Sequence, residues 1–219
     1  MVGPRIGYSG LDRRPRHSRR LRPSESGRLN LDHLRERTRP EHEATETLLP
    51  VMSPDLTRAA YAGYLAGLYA AVGAWETYAA AHAPHIAVPL LQERHRAALL
   101  EQDLRALGAP VPALAPFDAS RIPGLAAGSP PAFLGAMYVV EGSSLGGQYI
   151  ARHLDSTLAL TPGNGAAYFH GYGERTGALW NQFKSVLAAL PDTDEDQVVG
   201  AALAMFALFA DSLSVALPR

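Results

Sequence analysis

Two stretches of this chain carry residue types that could do chemistry. The first runs from Tyr138 to Gln148 (YVVEGSSLGGQ) and sets Gly142, Gly146 and Gly147 into what otherwise reads as a long buried helix. An interior glycine costs roughly 0.5 to 1 kcal/mol of helix stability against alanine, so such a stretch belongs where bare backbone must approach something closely. Three occupants are open. One is a second helix packed on small residues, and another is a flat ligand laid on the main chain. The third is the substrate of a serine hydrolase, because Gly142-Ser143-Ser144-Leu145-Gly146 fits the G-x-S-x-G elbow, with Ser144 as nucleophile and His153 or His170 as base. The second stretch holds His42 and Glu46, four apart and therefore on one face of a helix. A neutral histidine whose other ring nitrogen donates to a carboxylate is held ready for a metal, although the same spacing also suits a solvated surface pair. His82 and His85 flank Pro84 with no third ligand nearby, and they read as solvated turn residues.

The elements that must position these groups are helices. At 219 residues and 47% apolar content the chain suits one well-buried domain. It has no cysteine, which removes disulfides, thiolate metal sites and cysteine nucleophiles and makes a reducing compartment natural. No apolar run reaches about 18 residues and no signal-peptide core opens the chain, so the expected location is cytoplasmic with no membrane span. Residues 1–28 carry a net charge of +6 and the remainder −7. That arm lacks interleaved aromatics and periodicity, so it reads as a disordered basic extension without a nucleic-acid role, leaving 29–219 as the domain.

Asn30 is a good N-cap for a first helix interrupted by Pro40, which should kink it or restart it. Ser53-Pro54 reads as the start of a second helix, running to about Ala81 with Tyr64 and Trp75 in the core. A third is expected from about Val88 to Leu107, stopped by Gly108, followed by a proline-rich loop over 109–128. Ser129-Pro130 opens the glycine-bearing helix. A loop over Thr161 to Gly173, a helix over Glu174 to Leu190, and a last helix capped by Thr193 complete the chain. In that last helix Val199, Leu203, Phe206, Ala210 and Leu213 recur at helical spacing, as core residues do. The expected fold is all-α, a single-domain helical bundle. An elbow needs a strand before it and a sheet around it, and no alternation of strand and helix supplies one.

Within a bundle the glycine helix must face a partner, and the first helix offers His42, with Arg35 and Arg39 along the same side. A ligating histidine, basic groups at one rim and an opposing glycine-lined helix describe a slot for a flat metal macrocycle with acidic tails. Heme is such a molecule.

Here the residues resemble a known family, the heme oxygenases. Leu34-Arg35 followed by Thr38-Arg39-Pro40-Glu41-His42-Glu43-Ala44-Thr45-Glu46 is similar to that family's proximal helix. Arg94 to Leu104 resembles its third helix, taken as scaffold, and Gly142 to Gln148 resembles its kinked distal helix in the wording of bacterial members, including those that supply bilin to bacterial phytochromes. The resemblance implies His42 as proximal iron ligand, Glu46 holding its ring, and Arg35 and Arg39 toward the propionates. It further implies Thr38, Tyr138 and Phe206 as heme contacts, and Gly142, Ser143 and Gly146 as the distal catalytic surface, while Lys184 is placed at the open heme edge by its charge alone. Ser143 stands where many members carry aspartate, and Arg175 is a second candidate for the open heme edge. The implied activity is oxidative cleavage of heme b, at once substrate and cofactor, at a meso carbon to biliverdin, carbon monoxide and ferrous iron. Oxygen and an external electron donor, a ferredoxin or a reductase, would be consumed, with a bacterial phytochrome as bilin acceptor. A heme carrier without turnover and a serine hydrolase on Ser144 are the alternatives.

Overall fold

The fold starts where Asn30 turns its side chain onto the backbone: its Oδ1 accepts from the amides of Asp32 and His33 at 3.0 and 3.2 Å and closes the N-terminus of α1 (Leu31–Thr47). The computed structural model describes residues 27–47 and 50–216, so the sequence expectation for the basic arm lies, but for its last two residues, outside the described residues. α1 runs unbroken through Pro40. A proline deprives the carbonyl four residues back of its donor; here that is Glu36, on the exposed side. Neither a restart nor a second cap is needed.

α2 (Arg58–His82) begins at Thr57, whose hydroxyl accepts from Ala60 N at 3.1 Å. Ser53, the expected cap, spends its hydroxyl on Asp55 in the preceding turn. Tyr64 and Trp75 are buried as expected. The single helix expected over 88–107 is two, α3 (Val88–Leu91) and α4 (Ala97–Ala106), with Gly108 in the left-handed region at φ +67° beyond. The break has a tertiary cause. Glu76 of α2 accepts from the amides of Arg96 and Ala97 at 2.7 and 3.2 Å, capping α4 from another helix, while Arg94 and Arg96 turn inward and are buried.

Ser129 caps α5 (Pro130–Gly142) by accepting from Ala132 N at 3.3 Å, with Pro130 in the first turn as the sequence indicates. The helical path breaks between Gly142 and α6 (Gly147–Leu158), which is the expected kink. The expected loop over 161–173 contains a buried helical turn, α7 (Ala167–His170), in which Tyr168 and Phe169 are core residues. Asp103 of α4 holds it, accepting from the amides of Ala167 and Tyr168, both at 2.8 Å. α8 (Thr176–Ala188) follows, then α9 (Glu195–Ala216), which opens through a single 3-10 turn, Asp192–Asp194, that includes Thr193.

α9 packs against α1, α2 and α5. By length and composition it is apolar enough to cross a membrane, but Val199, Met205, Phe209 and Leu213 are buried within the bundle. Its approach to α5 is backbone to backbone: a Cβ on Gly135 would stand 2.3 Å from the Val198 carbonyl oxygen. The described residues contain no strand; their only bridge pairs Arg28 with Pro191.

Candidate heme site between the first and fifth helices

On α1 the buried stripe runs Leu34, Thr38, and the next residue on that face, one turn later, is His42. The His42 ring stands edge-on to Phe206 of α9, centroids 5.8 Å apart at 83°. Burial lowers the His42 pKa; Glu43 opposes that shift and the Arg35 guanidinium adds to it. The imidazole is therefore biased to its neutral, ligating form. Glu46 lies on the same face as expected, yet its Oε1 is 3.7 Å from His42 Nδ1, beyond hydrogen-bonding reach. Burial raises the Glu46 pKa, with Glu43 adding to it.

Facing α1, Tyr138 of α5 has its pKa raised by burial, with Thr38 and the charge of Arg35 on α1 opposing that shift. Its ring centroid is 5.7 Å from that of Trp180 on α8, and Lys184, half-buried, follows Trp180 by one turn on the same side. One turn after Tyr138, Gly142 presents open backbone: a Cβ there would meet only the Trp180 ring, at 3.9 Å. Gly147 has a different role. A Cβ there would stand 2.3 Å from the Phe169 carbonyl oxygen, so its missing side chain lets α6 touch α7. The packing reading of the glycine stretch thus holds at Gly147, whereas the ligand reading remains at Gly142. Gly146 lies between them as the N-cap residue of α6.

The arginines divide as well. Arg35 acts electrostatically on both His42 and Tyr138, while Arg39 lies exposed, 3.8 Å from Glu43. Arg175 is paired at the surface with Glu93, at 2.7 Å.

Behind the kink lies a polar cluster that sequence reasoning missed by taking Arg94 to Leu104 as plain scaffold. Arg94 Nε donates to Glu141 Oε2 at 2.9 Å with both side chains buried, and Nη2 donates to the Leu179 carbonyl at 2.8 Å, so one guanidinium joins α5 to α8. The Tyr172 hydroxyl donates to Glu141 Oε1 at 3.2 Å. Arg96 is 1% exposed, lies over the rings of Tyr168 and Tyr172 at 5.2 and 5.7 Å, and donates to the Val140 carbonyl and, at 3.0 Å, to Ser143 Oγ. The only signal in the sequence was a pair of arginines two apart in an otherwise helical segment.

The hydrolase alternative does not survive. Ser144 donates its hydroxyl proton to the Glu141 carbonyl at 2.6 Å, and no strand precedes it among the described residues. His153 lies against the Ser53 carbonyl at 3.3 Å and His170 is exposed. His85 is an exposed turn residue, whereas His82 is the last residue of α2 and stacks on Tyr78, and among the described residues no group of three or more His, Asp or Glu side chains could hold a metal ion.

The family model described as heme oxygenase matches residues 30–214. The chain belongs to the heme oxygenase family. A heme oxygenase from Xanthomonas campestris pv. campestris is 37% identical over 127 residues, which cover 56% of this chain and 70% of that protein. The heme oxygenase of Leptospira interrogans superposes with a TM-score of 0.68 at 21% identity, covering 84% of this chain and 98% of its own. Heme oxygenase-1 of Synechocystis sp. PCC 6803, solved in complex with heme, gives 0.65 at 22% identity over 84% and 90%. The heme oxygenase assignment makes the chain a heme-binding oxidoreductase, and the all-α bundle is the heme oxygenase fold.

Proposed function

We propose that this heme oxygenase cleaves heme at a meso carbon to biliverdin, carbon monoxide and ferrous iron, with His42 as the iron ligand and the Gly142 to Gly146 segment over the opposite face. The observation that carries this reading is the juxtaposition of α1 and α5 at Thr38 and Tyr138, with His42 and Gly142 each one turn further along. The residues fit the group: a neutral imidazole, aromatic edges from Phe206 and Trp180, the charge of Arg35, and a glycine with open space in front of it.

When bound, heme supplies the iron that activates oxygen and the carbon that is oxidised. His42 binds the metal and, being neutral, adds no charge to it. Phe206 orients the imidazole from its edge. Gly142 admits the macrocycle to the main chain, and Trp180 closes the α8 side of that gap. Arg35, with Lys184 on α8, attracts the carboxylate tails. Electrons come from an external ferredoxin or reductase, for which a basic rim suits an acidic surface. The reaction takes place in the cytoplasm, and a bacterial phytochrome is the bilin acceptor we favour.

The test is titration of the protein with hemin, followed by reduction in air with ascorbate or a ferredoxin system. The expected result is a Soret band at one equivalent that decays as bilin absorbance rises, with His42→Ala abolishing the band. A stable Soret band under reduction would instead make the protein a heme carrier.

A further inference from the structure

At the kink, the hydrogen bonds of α5 shorten in register. Ser143 N still reaches Val139 O at 3.1 Å, but Ser144 N turns to Glu141 O at 3.1 Å and Leu145 N to Gly142 O at 3.1 Å. The amide of Ser144 would serve the Val140 carbonyl in a continuous helix; here it points elsewhere, and that carbonyl is left buried at the break. A buried carbonyl without a donor destabilises the fold. Two side chains supply the missing donors: Arg96 Nη2 and the Ser143 hydroxyl, the latter at 2.7 Å.

We propose that Arg96 is the positioning residue of the kink, bonding the Val140 carbonyl that the kink frees and fixing the orientation of the Ser143 hydroxyl. Ser143 has one hydroxyl proton, and it is committed to Val140 O. One lone pair takes the Arg96 donor at 3.0 Å. The lone pair that remains can only accept, so a water beside it must present a proton. Arg96 is itself held on every side. Its amide is tied to Glu76 at 2.7 Å, its guanidinium lies over Tyr168 and Tyr172, and Glu141 stands nearby with the Arg94 partner that offsets its charge. The buried Tyr168 hydroxyl, which has no hydrogen-bond partner among the described residues, marks the same cluster as a place for an ordered water.

The claim stands without heme, and hydrogen exchange read by mass spectrometry on the heme-free protein tests it. Arg96→Met should speed exchange of the amides from Ser143 to Gly147 roughly tenfold or more while Tyr61 to Trp75 of α2 stay protected, and Arg96→Lys should restore part of the protection. Uniform acceleration across the chain, or no change at the kink, overturns it. If Arg96→Met fails to fold, Ser143→Ala takes its place in the exchange measurement with the same two outcomes, because it removes the second donor to Val140 O.

Discussion

Thr38 of α1 lies close enough to Tyr138 of α5 to act on its phenol, and each precedes by one helical turn the residue that matters most on its helix, His42 and Gly142. Their approach lies about 6 Å along each axis from the proposed ligand and the proposed opening. Removing the hydroxyl of Tyr138 with Phe should cost about 1 kcal/mol. Thr38→Val should cost a similar amount, and the double variant less than their sum, because the two groups are neighbours. Urea melts of the four proteins measure the coupling; full additivity would mean that the helices are registered elsewhere.

The two ends of the glycine stretch should respond oppositely to alanine. Gly147→Ala forces a methyl toward the Phe169 carbonyl oxygen and should destabilise the protein by roughly 1 to 3 kcal/mol, as overpacking does. Gly142→Ala meets only the Trp180 ring at ordinary contact distance, so the heme-free protein should be unchanged or slightly more stable. Its heme affinity should nevertheless fall, since the added methyl occupies the opening. Thermal melts with and without hemin separate the two effects.

Breaking the buried Arg94–Glu141 pair from one side should be far worse than removing both partners. Arg94→Met leaves the Glu141 carboxylate buried and uncompensated, at a cost of roughly 3 to 5 kcal/mol. Arg94→Met with Glu141→Met should recover most of that loss, measured by chemical denaturation. A double variant as unstable as the single would show that the other bonds of Arg94, to Leu90 and Leu179, dominate.

Glu76 gives the protein a readable pH dependence. Burial raises its pKa above the ordinary 4.5, against the lowering by the Arg96 and Ala97 amides. The folded state therefore binds more protons than the unfolded state between 4.5 and the raised value, and there this group's contribution falls as pH rises. Relative to Glu76→Gln, the wild-type protein should gain stability as pH is lowered through that window and hold the gain below it. Paired melts across pH 4 to about 7 would show the difference; the opposite slope would mean that the helix-capping bonds outweigh burial.

Much of the fold was legible in local chemistry. Asn30, Ser129 with Pro130, and Gly108 mark helix ends through interactions within a few residues, and such interactions are the same in any tertiary setting. The order of three motifs around His42, Arg94 and Gly142 also pointed to the family now matched over residues 30–214. Other features were out of reach. The break between α3 and α4 is imposed by Glu76, twenty residues earlier in the chain. α7 looked like a loop because Asp103, which holds its amides, lies far from it in sequence. The start of α2 slipped from Ser53 to Thr57 because either residue can cap and only the packing of the turn chooses.

By itself, the sequence determined that this chain folds as helices, where most of them begin, and which imidazole and which bare backbone it has to offer a flat ligand. Only the tertiary structure decided that Gly147 serves packing while Gly142 opens toward Trp180, and that Arg94 and Arg96, in a segment the sequence marks only as scaffold, are buried behind the kink. Helix ends and faces are set by bonds between near neighbours. A buried cation is tolerated only when acceptors from several helices converge on it, and that convergence is written in no single segment.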